Sequence, residues 1–129
     1  MMQRVFMTKR PYYLNLLQIR LPIGGWVSIL HRASGALLSV LVPLLLYGLM
    51  LSLASPEGFA RVRGFLAGGP GWLIGLLVSW ALLHHFLAGL RHLGFDFGWG
   101  EDRRRARQTA WLVLSLALAL TALIALGSL

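Results

Sequence analysis

The chain has no cysteine, one lysine and four acidic residues in a length of 129. Without a thiol it cannot form disulfides, ligate an iron–sulfur cluster, attach a c-type haem covalently or run thiol catalysis. The absence says nothing firm about compartment. Charge is scarce as well, and the gaps it leaves are long: Ala33 to Pro56, Gly64 to Leu90 and Gln108 to Leu129 carry none. Each run is at least as long as the ~20 residues an α-helix needs to cross a ~30 Å hydrocarbon core. With 57% hydrophobic residues, a soluble chain of this size has too little interior to hide three such helices. The expectation is an all-α integral membrane protein with three transmembrane helices, at 26–53, 72–94 and 108–128. The first span is too long for a cleaved signal and shows no small-residue cleavage site.

The charges that do exist are unevenly placed. Arg4, Lys9, Arg10 and Arg20 precede the first span, and Arg91, Arg103, Arg104, Arg105 and Arg107 lie at or between the ends of spans two and three. The connection between spans one and two holds only Arg61 and Arg63, a count of nine against two. Basic residues concentrate on the cytoplasmic side of a membrane. This predicts a cytoplasmic N-terminal segment (1–25), an external loop (54–71), a cytoplasmic loop (95–107) and an external C-terminus. The net charge of +8 is thus a topology signal, aided by attraction to the lipid bilayer's anionic headgroups, and no nucleic acid partner is implied.

Pro11, Pro22, Gly24 and Gly25 keep the first 25 residues from being one helix, and Tyr12, Tyr13 and Trp26 suit headgroup depth. In "SPEGF", Ser55 can cap a short interfacial helix with Pro56 at its first position and Glu57 in its first turn, burying Phe59, Val62 and Phe65 on one side. "GGPG" at 68–71 breaks the chain before span two. Span three carries no ionisable group and suits packing or lipid contact.

Ionisable side chains within a span are costly and mark candidate sites. Two clusters qualify: "SILHRASG" opening span one, and "LLHHFLAGLRH" at 82–92 in span two. Antiparallel spans bring them to similar depth in the cytoplasmic half of the bilayer. At ~100° per residue His85, Gly89, His92 and Asp96 share a stripe, whereas His84 lines up with Ala88 and Arg91. A histidine four residues before a glycine suits a flat ligand with a central metal, since the bare backbone lets a macrocycle approach. A haem b fits this layout, with iron on His85 and propionates towards arginine and histidine nearer the surface. A lone intramembrane histidine can equally hydrogen-bond a neighbouring helix, and His84 suits packing. His92 and Arg91 are also placed to snorkel to the interface, and Asp96 to cap or pair with a local arginine. Ser28 and Arg32, one turn apart on one face, offer a hydroxyl and a guanidinium that can grip the carbonyl of a quinone, or anchor the span to phosphates. His31 points about 100° away from Arg32.

Together the clusters resemble the cytochrome b556 membrane-anchor family of bacterial succinate dehydrogenase, respiratory complex II. The resemblance rests on "RPYYLNLLQIRLPI" at 10–23, "SILHRASG" at 28–35, "SPEGF" at 55–59 and "HHFLAGLRHLGFDFG" at 84–98. The paired pattern S-x-x-H-R-x-[ST]-G and H-x-x-x-G-x-R-H, followed by an aspartate, is more specific than either half. It implies a subunit of an oxidoreductase complex that is no enzyme alone, sharing a heterodimeric haem-binding helical bundle in the bacterial inner membrane. Implied partners are a second small hydrophobic anchor subunit supplying the other axial histidine, an iron–sulfur subunit and a flavoprotein subunit; a trimer of heterotetramers is left open. Carried over by motif, His85 is the axial ligand, Ser28 and Arg32 contact a ubiquinone- or menaquinone-type substrate, and His31, Arg32 and His92 lie about the propionates. His84 stands where the family often has an aromatic residue and is the alternative ligand. Two other classes compete: a haem-free structural anchor, which a haem spectrum would separate, and a small transporter, disfavoured because the polar groups gather at one leaflet.

Overall fold

The structure, a computed structural model, describes residues 20–128. Four helices follow one another: α1 (Ile23–Ala54), α2 (Pro56–Ala67), α3 (Gly69–Asp96) and α4 (Arg103–Gly127), with no strand among the described residues. The sequence expectations for Tyr12 and Tyr13 lie outside the described residues.

Local chemistry sets each boundary. Pro22, extended at φ −65° and ψ 156°, precedes α1, which starts three residues before the expected span. Pro43 lies within α1, yet the helix runs on through it, as spanning helices tolerate. The Ser55 Oγ accepts the Gly58 N–H at 3.0 Å and Pro56 takes the first turn of α2, which needs no N–H there. Gly68 alone separates α2 from α3; Pro70 fits the opening turn, so α3 begins at Gly69 rather than 72. The Asp102 Oδ1 accepts the N–H groups of Arg104 and Arg105, both at 3.0 Å, drawing the arginine-rich stretch into α4 from residue 103. What remains of the loop between α3 and α4 is 97–102, where Gly98 (φ 76°) and Gly100 (φ 79°) take the left-handed conformation that other residues resist.

The three long helices form a bundle in which α1 and α4 each run antiparallel to α3. His31 and Gly35 of α1 meet His85, Arg91 of α3 bonds Ala106 and Thr109, and the Trp72 indole N–H donates to Ser128 Oγ at 2.8 Å. The interior is narrow. It is built from Val27, Ser34 and Leu38 of α1, Val78, Ala81, His84 and Ala88 of α3, and Ala110, Val113 and Ala117 of α4. Spacings of three, four and seven keep each set on one stripe. The many alanines let backbones approach closely, as in helix packing within lipid, where burying bulk against a neighbour gains little over lipid itself.

Outside this seam the bundle is apolar. All three long helices are long and apolar enough to cross a membrane, and large side chains such as Leu46, Leu53, Leu118 and Leu126 are mostly exposed. The short α2 packs across the ends of α1 and α3, its backbone so close to α1 that a Cβ on Gly58 would meet the Leu51 carbonyl. Phe59 and Phe65 were expected to be buried; they are 54% and 55% exposed, with Val62 half-buried, while Gly58 makes the close approach to α1 and Gly71 of α3 packs against Phe65.

Candidate functional site

The ~100° step between adjacent helical residues sends His84 and His85 to different surroundings. His84, with Ala88, faces the bundle interior and has no exposed surface. Its ring stacks on Trp80 at 5.3 Å between centroids, and neither ring nitrogen has a hydrogen-bond partner among the described residues. His85 is only partly buried and faces α1.

The contacts of His85 define its chemistry. Its Nδ1 lies 3.1 Å from the His31 carbonyl oxygen and 3.4 Å from Ser34 Oγ. A carbonyl can only accept, so Nδ1 carries the proton. Ser34 Oγ itself donates to the same carbonyl at 2.9 Å and so can accept a share of that N–H. The tautomer this selects leaves the Nε2 lone pair free. That is how metal-binding histidines are commonly prepared: one ring nitrogen anchored on a backbone carbonyl, the other offered to the metal. His84 lacks both halves of this arrangement.

Gly35 supplies the seat. A Cβ there would stand 2.7 Å from His85 Cε1 and 3.2 Å from Nδ1, so the imidazole rests on bare α1 backbone. Sequence reasoning gave Gly89 a different role, bare backbone that lets a macrocycle approach, and did not single out Gly35. In the structure the Gly89 Cα is covered by His31, whose Nε2 lies 3.6 Å from where a Cβ would be, and the tight approach is made from the opposite helix. Gly35 closes the motif "SILHRASG", so the signal was present in the spacing; only its partner was not readable.

Three imidazoles line the α1–α3 face. His31 stacks on His85 with centroids 4.3 Å apart and planes 19° from parallel, and His92 follows at 5.1 Å from His31. A stack occupies a ring's face, whereas a metal bond lies in the ring plane along the lone pair. The His31 contact therefore does not take the coordination position of His85, and the residues fit a flat iron-centred ligand held through Nε2.

Arg32 is exposed and its Nε–H donates to the Ser28 carbonyl at 3.3 Å. This holds the guanidinium beside Ser28, and its Nη groups have no hydrogen-bond partner among the described residues. Arg91, placed by its position to snorkel to the interface, turns towards the start of α4. Its Nε–H donates to Thr109 Oγ1 and an Nη2–H to the Ala106 carbonyl, both at 3.1 Å, with the guanidinium 4.4 Å from the Phe95 ring centre. It shares the phase of His84 and Ala88, so it meets α4. Asp96 is exposed and makes no ion pair among the described residues; the pair formed there is Arg105–Asp102, at 3.3 Å. Asp96 ends α3, while Asp102 is committed to capping α4.

Two antiparallel helices with a histidine–arginine pair on one and a histidine–glycine–histidine stripe on the other make a specific arrangement. A family model for the succinate dehydrogenase/fumarate reductase transmembrane subunit matches residues 7–124. The chain belongs to that family. The succinate dehydrogenase cytochrome b556 subunit of Paracoccus denitrificans is 33% identical over 114 residues, covering 88% of each chain. The protein of the same name from Coxiella burnetii is 36% identical over 108 residues, covering 81% of this chain and 85% of its own. That from Rickettsia typhi is 30% identical, covering 90% of both. Membership of a transmembrane-subunit family accounts for the three apolar helices and for the many large apolar side chains exposed on their outer surface.

Proposed function

We propose that this chain is the membrane-anchoring cytochrome b subunit of a succinate:quinone oxidoreductase, binding haem b and helping to form the quinone-reduction site. The hydrogen bond from His85 Nδ1 to the His31 carbonyl carries this reading, because it leaves Nε2 as the nitrogen that would hold iron, while His84 is fully buried with no hydrogen-bond partner among the described residues. The names of the relatives, cytochrome b556 subunits, support the same cofactor. Haem b, when bound, supplies a one-electron store beside the quinone.

His85 would hold the iron from this chain's side, and a histidine of a second small hydrophobic subunit would supply the other ligand. His31 and His92, in line along the same face, donate to the propionates together with Arg32. Ser28 and Arg32 orient the quinone. The hydroxyl and the Nη groups donate to one carbonyl oxygen, and the guanidinium favours the negative charge that grows there on reduction. The tail of a ubiquinone or menaquinone continues into lipid. Electrons reach this site from an iron–sulfur subunit, itself fed by a flavoprotein subunit that oxidises succinate. This chain contributes no succinate chemistry. It sits in the bacterial inner membrane with its N-terminus in the cytoplasm and its C-terminus outside.

The 4.3 Å stack of His31 on His85 favours one other reading, in which the histidines only pack α1 against α3 and no haem is held. A reduced-minus-oxidised spectrum of the purified complex decides between them. The expected result is a b-type band in the wild type, its loss or displacement in His85→Ala, and its retention in His84→Phe, which keeps an aromatic ring against Trp80. A wild-type complex without the band, expressed with haem supplied, sinks the haem assignment; loss in His84→Phe alone moves the ligand to His84.

A further inference from the structure

A concavity of about 740 Å³ opens at the end of the bundle where α1 and α4 begin. None of the imidazoles lines it. Three arginines do, Arg91, Arg103 and Arg107, and no acidic side chain does. Arg103 and Arg107 are one helical turn apart and so share a face. Asp102, the acid nearest in sequence, is committed elsewhere: its carboxylate caps α4 and pairs with Arg105. Arg91 reaches the groove from α3. A Cβ on Gly24 would lie 3.4 Å from its Nη2, so the guanidinium spans from α4 to the bare backbone at the start of α1. Of the five N–H donors of a guanidinium, Thr109 and Ala106 engage two, and no other partner occurs among the described residues.

The walls are aromatic and apolar. Trp26 and Trp111, 51% and 55% exposed, flank the opening, and Ile23 lines it. The charge-free run of α4 starts at Gln108, so Arg107 stands just outside the hydrocarbon and Trp111 one turn inside. Tryptophan favours that depth. An uncompensated triple guanidinium against indole rings at the edge of a bilayer matches one amphiphile. Planar arginine forks take phosphate oxygens in pairs, and the surrounding membrane offers anionic phosphodiesters at high local density.

We infer that this groove binds the phosphodiester headgroup of an anionic phospholipid, whose acyl chains descend beside Trp26 and Trp111 along α1 and α4. The inference needs only that the helices span a bilayer, and is independent of the haem and quinone assignments.

The test uses the complete complex in nanodiscs of equal parts phosphatidylcholine and phosphatidylglycerol. After return to mild detergent, mass spectrometry of the intact complex reads the phosphatidylglycerol retained. Wild type should keep it, and the Arg103→Gln/Arg107→Gln variant should lose about 25-fold in retention, as expected for two arginines near an anionic headgroup. Arg104→Gln/Arg105→Gln, with the same change in net charge, should retain it. If the double variant does not assemble, Arg107→Gln alone should lose about fivefold. Equal loss in both double variants, or loss in neither, overturns the site. Displacement of the lipid by inorganic phosphate alone reassigns the groove to a soluble anion. Unchanged lipid with loss of a partner subunit reassigns it to an acidic protein segment, and either result refutes the lipid.

Discussion

At the scale of single residues, the position of the proton on His85 is the pivotal detail. It depends on a backbone carbonyl one helix away, and on Gly35 allowing the ring to sit against α1. Gly35→Ala should therefore act on the ligand without touching it. A Cβ 2.7 Å from Cε1 must displace the imidazole or the helix, at a cost of about 1–3 kcal/mol typical of overpacking. A shifted or weakened b-type band is expected, read as a reduced-minus-oxidised spectrum. Gly48→Ala in the same helix, where a Cβ meets nothing within 4 Å, should leave the band alone. Identical spectra for all three proteins would mean that Gly35 does not seat the ligand. Arg32 belongs to the proposed quinone site. Removing a charged donor to a developing anion costs about 1.5–3 kcal/mol, so Arg32→Ala should slow quinone reduction by roughly 10–100-fold. Succinate oxidation by a water-soluble dye should persist. Equal loss of both activities would assign Arg32 to assembly.

At the scale of the helices, much was legible because the relevant chemistry is local. Ser55 before Pro56 announces α2, and the 3.6-residue period alone separates the face of His84 from that of His85. Three features were hidden because they depend on a neighbour. Asp102 was one acid among arginines until its carboxylate met the first N–H groups of α4, extending that helix back to residue 103. Arg91 looked like an end-of-span charge until Thr109 and the Ala106 carbonyl came within reach across the short turn. The phenylalanines of α2 looked like a buried stripe, but both are more than half exposed, and α2 approaches α1 most closely at Gly58. The cap on α2 is testable on its own. Ser55→Ala removes the acceptor of the Gly58 N–H, worth about 1 kcal/mol. Hydrogen exchange in Pro56–Ala67 should then quicken roughly fivefold, as that energy implies, while α3 and α4 stay as they were. Unchanged exchange would show that contact with α1 holds α2 without its cap.

At the scale of the whole molecule, the narrow alanine seam and the exposed leucines explain why this chain needs a bilayer and neighbours. Buried side chains alone cannot carry the fold in water, since its interior is a single file of small residues while most large apolar side chains point outward. What the membrane then leaves open is which way the bundle faces. The asymmetry of nine basic residues against two predicts the end carrying Arg32, Arg91 and the α4 arginines on the cytoplasmic side. The quinone site and the phospholipid groove would then share that leaflet, where an iron–sulfur partner can reach the first and anionic lipid the second. The lack of any cysteine makes the orientation directly measurable. Ser128→Cys and Glu101→Cys each add one thiol, at opposite ends of the bundle and both exposed. In intact spheroplasts a membrane-impermeant maleimide should label the Ser128→Cys chain. The Glu101→Cys chain should react only after the membrane is opened and, where a partner subunit covers it, after that subunit is stripped away. The opposite pattern would invert the bundle and put both sites in the outer leaflet, out of reach of an electron donor in the cytoplasm.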